Sequence, residues 1–146
     1  MNVDDVNPIG TADPARAAID VGLVVRDGDA ALAFYRDVLG LRHVGDSPIP
    51  AIGFSGTIHR LRFGESTLKL LVLNGAPPAT STTTDIAAAT GLRYITLPVR
   101  NLTEVLARVI LHGHPVAMPV LELRPGAAIA FLADPDGNRV ELLQID

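Results

Sequence analysis

The first half of the chain carries one helical pattern between stretches that alternate in hydrophobicity. AIDVGLVVRD is rich in β-branched residues and predicts a strand. Its alternate side chains divide into two faces: Asp20, Gly22 and Val24 on one, Val21, Leu23 and Val25 on the other. DGDAALAFYRDVLG then predicts a helix, capped by Asp27 or Asp29 and ended by a left-handed Gly40. LRHVG, TIHRLRF and TLKLLVL predict three strands, SPIPAIGFSG a loop, and Gly64-Glu65-Ser66 a turn.

The second half repeats this order. GLRYITLPV predicts a strand, and NLTEVLARVILHG a helix with Asn101 as N-cap, Glu104 as its capping-box partner and Gly113 at its exit. PVAMPVLEL predicts a bent strand, and AIAFLADPDGNRVELLQI a hairpin that turns at residues 134–137. A linker with a short helical turn over residues 86–89 separates the halves. Strand, helix and three strands therefore occur twice, which indicates an internal duplication.

We therefore predict an α+β fold of two βαβββ modules, in which curved mixed sheets surround a central cavity. A loose arm covers residues 1–16, and one domain covers residues 17–146. Within that domain we place the first module at about 17–74, the linker at about 75–90 and the second module at about 91–146.

The composition excludes several classes of function. Apolar residues make up 48% and charged residues 19%, a globular balance, and the net charge of -4 gives no reason to expect nucleic acid as a partner. Without cysteine there is no disulfide framework, thiolate nucleophile or cysteine-bound zinc. The N-terminal residues lack the apolar core of a signal peptide, and no apolar run is long enough to cross a membrane. We expect a cytoplasmic protein.

Two segments point to a family. VGLVVRDGDAALAFYRDVLGL and FLADPDGNRVELLQ resemble the most recognisable stretches of the vicinal-oxygen-chelate superfamily, which includes glyoxalases, bleomycin-resistance proteins and extradiol dioxygenases. The resemblance covers residues 18–145 and implies the fold predicted above, a small-molecule ligand and a homodimer. It also implies metal-ligand positions on the first and last strand of each half, here Asp20, Lys69, Tyr94 and Glu141.

Only Glu141 keeps the residue type that metal-using members place there. A lysine ammonium has no lone pair and repels a cation, so we predict neither a metal nor another cofactor at these positions. Lys69 is instead suited to hold an enolate or alkoxide, while Glu141 or Asp20 moves a proton and Tyr94 donates a hydrogen bond. A purely structural ion pair between Lys69 and a carboxylate is the alternative interpretation.

Strand alternation extends these positions to a mostly apolar wall. The candidate substrate-binding residues are Val24, His59, Leu71, Thr96, Arg139 and Leu143. His59 could face either side of its strand. We interpret His43 as a surface residue, and His112 and His114 as part of a helix end. Arg60 and Arg62 share a strand face, which we interpret as exposed to solvent; the alternative is that they bind the anionic tail of a ligand.

The favoured function is a metal-independent isomerase, epimerase or lyase that works next to a carbonyl. One alternative is a non-catalytic protein of the bleomycin-resistance type that sequesters a small hydrophobic molecule. The aromatic content of 4% disfavours such a binding protein, because flat drug molecules are usually bound by stacking against aromatic side chains. A second alternative is a metal-dependent glyoxalase or dioxygenase.

Overall fold

Two four-stranded mixed sheets form the fold, one from each half of the chain. The structure, a computed structural model, describes residues 8–50, 53–81 and 85–146. The strands of the first sheet are β1 (Val21–Val25), β2 (Arg42–Pro48), β3 (Gly56–Phe63) and β4 (Ser66–Leu73), arranged β1-β4-β3-β2. Those of the second are β5 (Tyr94–Val99), β6 (Val116–Arg124), β7 (Ala127–Ala133) and β8 (Arg139–Ile145), arranged β5-β8-β7-β6. The first strand of each sheet pairs in parallel with the last, and the predicted pair of βαβββ modules is confirmed.

The first helix changes its winding part-way. It begins as α1 (Gly28–Leu32) and continues as a π-helical segment over Ala33–Val38, which the sequence did not reveal. Asp27 caps it, because its Oδ1 accepts hydrogen bonds from the backbone N of Asp29 and of Ala30 at 3.0 and 3.2 Å. Gly40 follows with a φ of 83°, so both predicted ends of the helix are confirmed.

The second helix, α2 (Leu102–Leu111), has a different N-terminal cap from the one predicted. Asn101 caps no backbone N–H, and its side chain instead donates to Glu104 Oε2 at 3.2 Å. The backbone N of Leu102 finds its acceptor in Gln144 Oε1 of β8, at 2.9 Å. The capping-box prediction was therefore wrong, because a side chain distant in sequence satisfies the helix start. The left-handed exit at Gly113, with a φ of 77°, is confirmed.

One strand boundary differs from the sequence expectation. β2 runs on to Pro48, into a segment predicted as loop, and an edge strand tolerates that proline.

The predicted linker and arm are described in part. A short 3-10 helix over Ile86–Ala88 confirms the helical turn that was predicted in the linker. Linker residues 82–84, loop residues 51–52 and arm residues 1–7 lie outside the described part of the chain. At the end of the predicted arm, Arg16 donates to the carbonyl of Glu65 at 3.0 Å and is thereby tied to the β3–β4 turn.

One hydrophobic core lies between the modules and joins the helix-bearing faces of both sheets. Its fully buried members come from both helices and both sheets: Phe34, Tyr35, Leu61, Leu70, Leu102, Val109, Leu132, Val140 and Leu142. The guanidinium of Arg108 on α2 donates to the carbonyls of Asp37 and Val38 at 2.8 and 3.0 Å, which ties the second helix to the end of the first. No helix in the described residues is long and apolar enough to cross a membrane.

Candidate functional site

A row of cations crosses the first sheet on the face opposite the core. Leu68 and Leu70 of β4 are buried in the core, so the side chain of Lys69 between them points to the other face. In the sheet register Lys69 stands opposite Gly22 of β1 and Arg60 of β3. Arg62 shares the face of Arg60, and its Nε is buried without a hydrogen-bond acceptor among the described residues.

Asp20 lies beside this row, but its carboxylate already has partners. Oδ1 accepts the backbone N–H of Thr67 at 3.1 Å, and Oδ2 pairs with Arg16 at 2.8 Å. The hydrogen bond from Arg16 is the main reason that the pKa of Asp20 lies below its usual value of 3.8, and the charge of Lys69 contributes least. Asp20 is therefore an ionised group held by Arg16, and the face retains a surplus of positive charge.

The second sheet carries the other two predicted catalytic residues. Glu141 of β8 stands opposite Thr96 of β5, whose Oγ1 donates to Glu141 Oε1 at 2.9 Å. Tyr94 stands opposite Arg139, and its ring meets Phe131 edge-on at a centroid distance of 5.4 Å. The side chain of Tyr94 is 49% exposed. This face thus offers an oriented carboxylate, an accessible phenol and a guanidinium.

The predicted tetrad is placed as two pairs, one on each sheet. Asp20 and Lys69 share the first face, Tyr94 and Glu141 the second, and among the described residues no hydrogen bond, ion pair or ring contact joins the two pairs. The predicted wall divides in the same way: Val24 and Leu71 lie with the first pair, and Thr96, Arg139 and Leu143 with the second. His59 shares its face with Leu61 of the core and so points away from Lys69.

A cleft of about 550 Å³ opens between the edge strands β1 and β5. Its wall is mainly apolar, and Tyr94, Thr96 and Arg139 supply polar groups from the second sheet. Tyr35 of the first helix also reaches it, whereas Lys69 and Glu141 do not line it. The cleft has the volume for a small organic ligand.

A cluster on the core side of the first sheet was missed by the sequence analysis. Asp46 Oδ1 is 2.6 Å from His43 Nε2 and 2.7 Å from His59 Nδ1. The hydrogen bonds from His59 and then His43 lower the pKa of Asp46 below its usual 3.8. His43 was expected at the surface, but its side chain is only 23% exposed. No local signal reveals the cluster, because it depends on strand register.

The family model of the Glyoxalase/Bleomycin resistance protein/Dioxygenase superfamily matches residues 17–142. The chain belongs to this superfamily. No curated protein sequence matches it significantly. A glyoxalase family protein from Bacillus cereus is 18% identical, with a TM-score of 0.77 over 93% of this chain and 99% of that one. The trypanothione-dependent glyoxalase I of Leishmania major is 26% identical, with a TM-score of 0.66 over 88% and 86%. TioX from Micromonospora sp. ML1 is 21% identical, with a TM-score of 0.64 over 90% and 100%.

The superfamily's metal positions in this chain do not offer a suitable donor set. The carboxylate of Asp20 is engaged by Arg16, and the ammonium of Lys69 has no lone pair to give. Tyr94 offers a phenol, a weak ligand while it keeps its proton. Glu141 is therefore the one carboxylate of the four positions that no cation among the described residues holds, and one carboxylate does not make a divalent-cation site.

Proposed function

We propose that the chain is a small-molecule isomerase, epimerase or lyase that uses acid–base chemistry next to a carbonyl, without a metal at the superfamily's usual position. The observation that carries the proposal is the row of Lys69, Arg60 and Arg62 on the face where metal-using members place ligands. Its charges have no carboxylate partner within ion-pair distance among the described residues. Such a row is suited to a carboxylate or enolate oxygen.

The proposed step moves one proton. The Glu141 carboxylate removes a proton from the carbon beside the carbonyl, and the electron pair of that C–H bond moves onto the carbonyl oxygen as an enolate. Lys69 stabilises this oxygen, and Thr96 keeps Glu141 oriented through its 2.9 Å hydrogen bond. Tyr94 then donates its phenolic proton to the opposite side of the carbon, which completes an epimerisation, and the proton held by Glu141 returns to the Tyr94 phenolate through solvent, so both groups are restored.

The pair of Asp20 and Lys69 and the pair of Tyr94 and Glu141 must reach the same ligand. Each pair lies on the face of its sheet that points away from the shared core. These faces are incompletely covered in one chain, with Val24 47% and Tyr94 49% exposed. We therefore include a homodimer in the proposal, in which a second copy covers the open faces and encloses the ligand. Apolar surface left open at the sheet edges supports association.

The test is exchange of solvent deuterium into a panel of small 2-substituted keto acids and acyl thioesters, followed by proton NMR. Lys69→Met and Glu141→Gln should each lower the exchange rate at least a hundredfold, because each removes a group that acts only in the transition state. The controls lie at exposed positions of β6: Glu122→Gln repeats the substitution made at Glu141, and Arg124→Met likewise replaces a cation by methionine. Full exchange in both site variants would contradict the proposal.

A metal chelator should leave the exchange rate unchanged. If stoichiometric metal restores activity after chelation, and Glu141→Gln abolishes its binding, the metal-dependent alternative replaces ours.

A binding protein is the second candidate, favoured by the cleft between β1 and β5. That cleft is mainly apolar and lacks both Lys69 and Glu141, so it can hold a ligand without turning it over. Saturable binding of an apolar dye, lost on Leu23→Asp and kept in Lys69→Met, together with no exchange on the panel, would favour this function.

A further inference from the structure

The His43, Asp46 and His59 cluster has the composition and spacing of a metal site. One ligand atom from each residue lies within 4.8 Å of the other two. The two imidazole rings stand nearly perpendicular, at 83°, with centroids 5.6 Å apart. Both nitrogens approach the same oxygen of Asp46, at 2.6 and 2.7 Å. The three donors therefore surround one small volume.

A β-bulge in β2 creates this arrangement. His43 pairs with Leu61, but Gly45 pairs with Arg60, so Val44 is one extra residue on the edge strand. Asp46 is consequently set opposite His59, whereas regular alternation from His43 would set it opposite Ile58, on the other face of the sheet. The bulge thus brings a residue three positions after His43 onto the face of His43.

The surroundings leave an ion access to the cluster. The side chains of His59 and His43 are 17% and 23% exposed, and that of Asp46 is 49% exposed. The Arg36 guanidinium is engaged by the neighbouring Asp37 at 2.8 and 3.3 Å and makes no ion pair with Asp46. Solvent can therefore reach the carboxylate side, while the imidazoles are held against the sheet.

We propose that His43, Asp46 and His59 bind a zinc-type divalent transition-metal ion, with water completing the coordination. Two imidazoles and one carboxylate suit zinc and its neighbours, whereas calcium and magnesium prefer oxygen ligands. Tetrahedral donors at about 2.0–2.1 Å from zinc lie about 3.3 Å apart, so the ion requires each histidine nitrogen to move from Asp46 Oδ1 by only about 0.7 Å. This site lies on the opposite sheet face from Lys69 and does not depend on the proposed enzyme activity.

The bound ion would fasten the edge strand β2 to β3. β2 is the outer strand of its sheet, and β3 is its only partner among the described strands. Gly28 at the start of α1 lies near the other nitrogen of the same ring, since a Cβ built on it would be 3.7 Å from His59 Nε2, whereas Nδ1 faces Asp46. Its role is structural.

The test is titration of the metal-free protein with ZnCl2 against a colorimetric zinc chelator. We expect one equivalent of zinc per chain, and at least tenfold weaker binding in His43→Ala, His59→Ala and Asp46→Asn. Asp46→Asn keeps the shape of the side chain and removes its charge, so it separates metal binding from hydrogen bonding. Zinc should also raise the Tm of the unsubstituted chain and not that of the variants.

His112→Ala is the matched control, because His112 is an exposed histidine outside the cluster. It should bind zinc as the unsubstituted chain does, and circular dichroism should show that every variant is folded. Absence of stoichiometric binding, or equal affinity in Asp46→Asn and the unsubstituted chain, would overturn the site. If zinc binding is instead lost in Glu141→Gln, the metal is bound on the other face of the molecule, and the proposed site at His43, Asp46 and His59 is equally overturned.

Discussion

The hydroxyl of Tyr35 donates a 2.7 Å hydrogen bond to Asp134 Oδ2, and this bond joins the first helix to the β7–β8 turn of the second module. Both residues are buried, with 1% and 4% exposure. Asp134 also accepts the backbone N–H groups of Asp136 and Asn138 at 2.9 and 2.8 Å, so one carboxylate organises the turn and holds the other module's helix. The contact unites the halves of a duplicated chain.

Tyr35→Phe should lower the free energy of unfolding by about 1.5–3 kcal/mol, because it removes a buried hydrogen bond to a charged group. The loss should lie toward the lower end, since Asp134 keeps its other donors. Urea denaturation followed by circular dichroism measures it. Tyr94→Phe removes a hydroxyl that is not hydrogen-bonded within the described residues, and it should change stability by less than about 0.5 kcal/mol. Equal losses in the two variants would contradict the importance of the Tyr35 bond.

Alkaline pH should weaken the fold through Tyr35. Burial, and then the charge of Asp134, raise the pKa of this phenol well above its usual 10.0. The unfolded chain therefore ionises the phenol above about pH 10 while the folded chain keeps the proton, so this stabilisation is complete below pH 10 and is lost as the pH rises toward the folded pKa. Unfolding free energies from pH 8 to 11 should fall less steeply in Tyr35→Phe. Parallel curves would show that other groups control the alkaline transition.

Gly56→Ala should destabilise the protein by about 3 kcal/mol. A Cβ at Gly56 would lie 2.0 Å from the carbonyl oxygen of Val72, which is backbone of the paired strand and cannot turn aside. Thermal denaturation provides the measurement. Gly45→Ala is the matched control, because a Cβ at Gly45 has no described atom within 4 Å, and its effect should stay within about 0.5 kcal/mol. A Tm for Gly56→Ala equal to that of the control would refute the expected clash.

The proposed homodimer gives a prediction about size. Light scattering at micromolar concentration should report twice the chain mass of 15.4 kDa. Val24→Asp places a charge on the exposed face of β1 and should shift the mass toward that of one chain, whereas Leu111→Asp, at the exposed end of α2, should not. A monomer in the unsubstituted protein would remove the shared-site part of the proposed function.

Sequence pattern was sufficient for the strand faces and the helix exits, which depend on local chemistry. Alternation placed Val24 and Val25 on opposite faces of β1, and the structure buries Val25 and exposes Val24; the glycines at 40 and 113 marked both helix exits. It failed where partners are distant in sequence. Gln144 replaces Asn101 as the acceptor at the start of α2, a choice that only the docking of β8 decides.

The candidate sites show the same division. The resemblance supplied the position of Lys69 and its proposed role, and the structure places its side chain opposite the face of the two buried leucines that flank it. The pairing of Asp46 with His59 could not be predicted, because an extra residue in β2 changes the face of every later side chain in that strand.

The strand order of each sheet has a consequence for the timing of folding during synthesis. β4 and β8 are made last within their modules, yet each lies between two strands that are made earlier. When the ribosome has released β1, α1, β2 and β3, the first strand still has no neighbour to pair with, and the same applies to β5 until β8 emerges. Each module therefore completes its sheet in one late event. Until then the backbone hydrogen-bonding groups of its first strand have no partner within the sheet and depend on the ribosome or a chaperone to shield them.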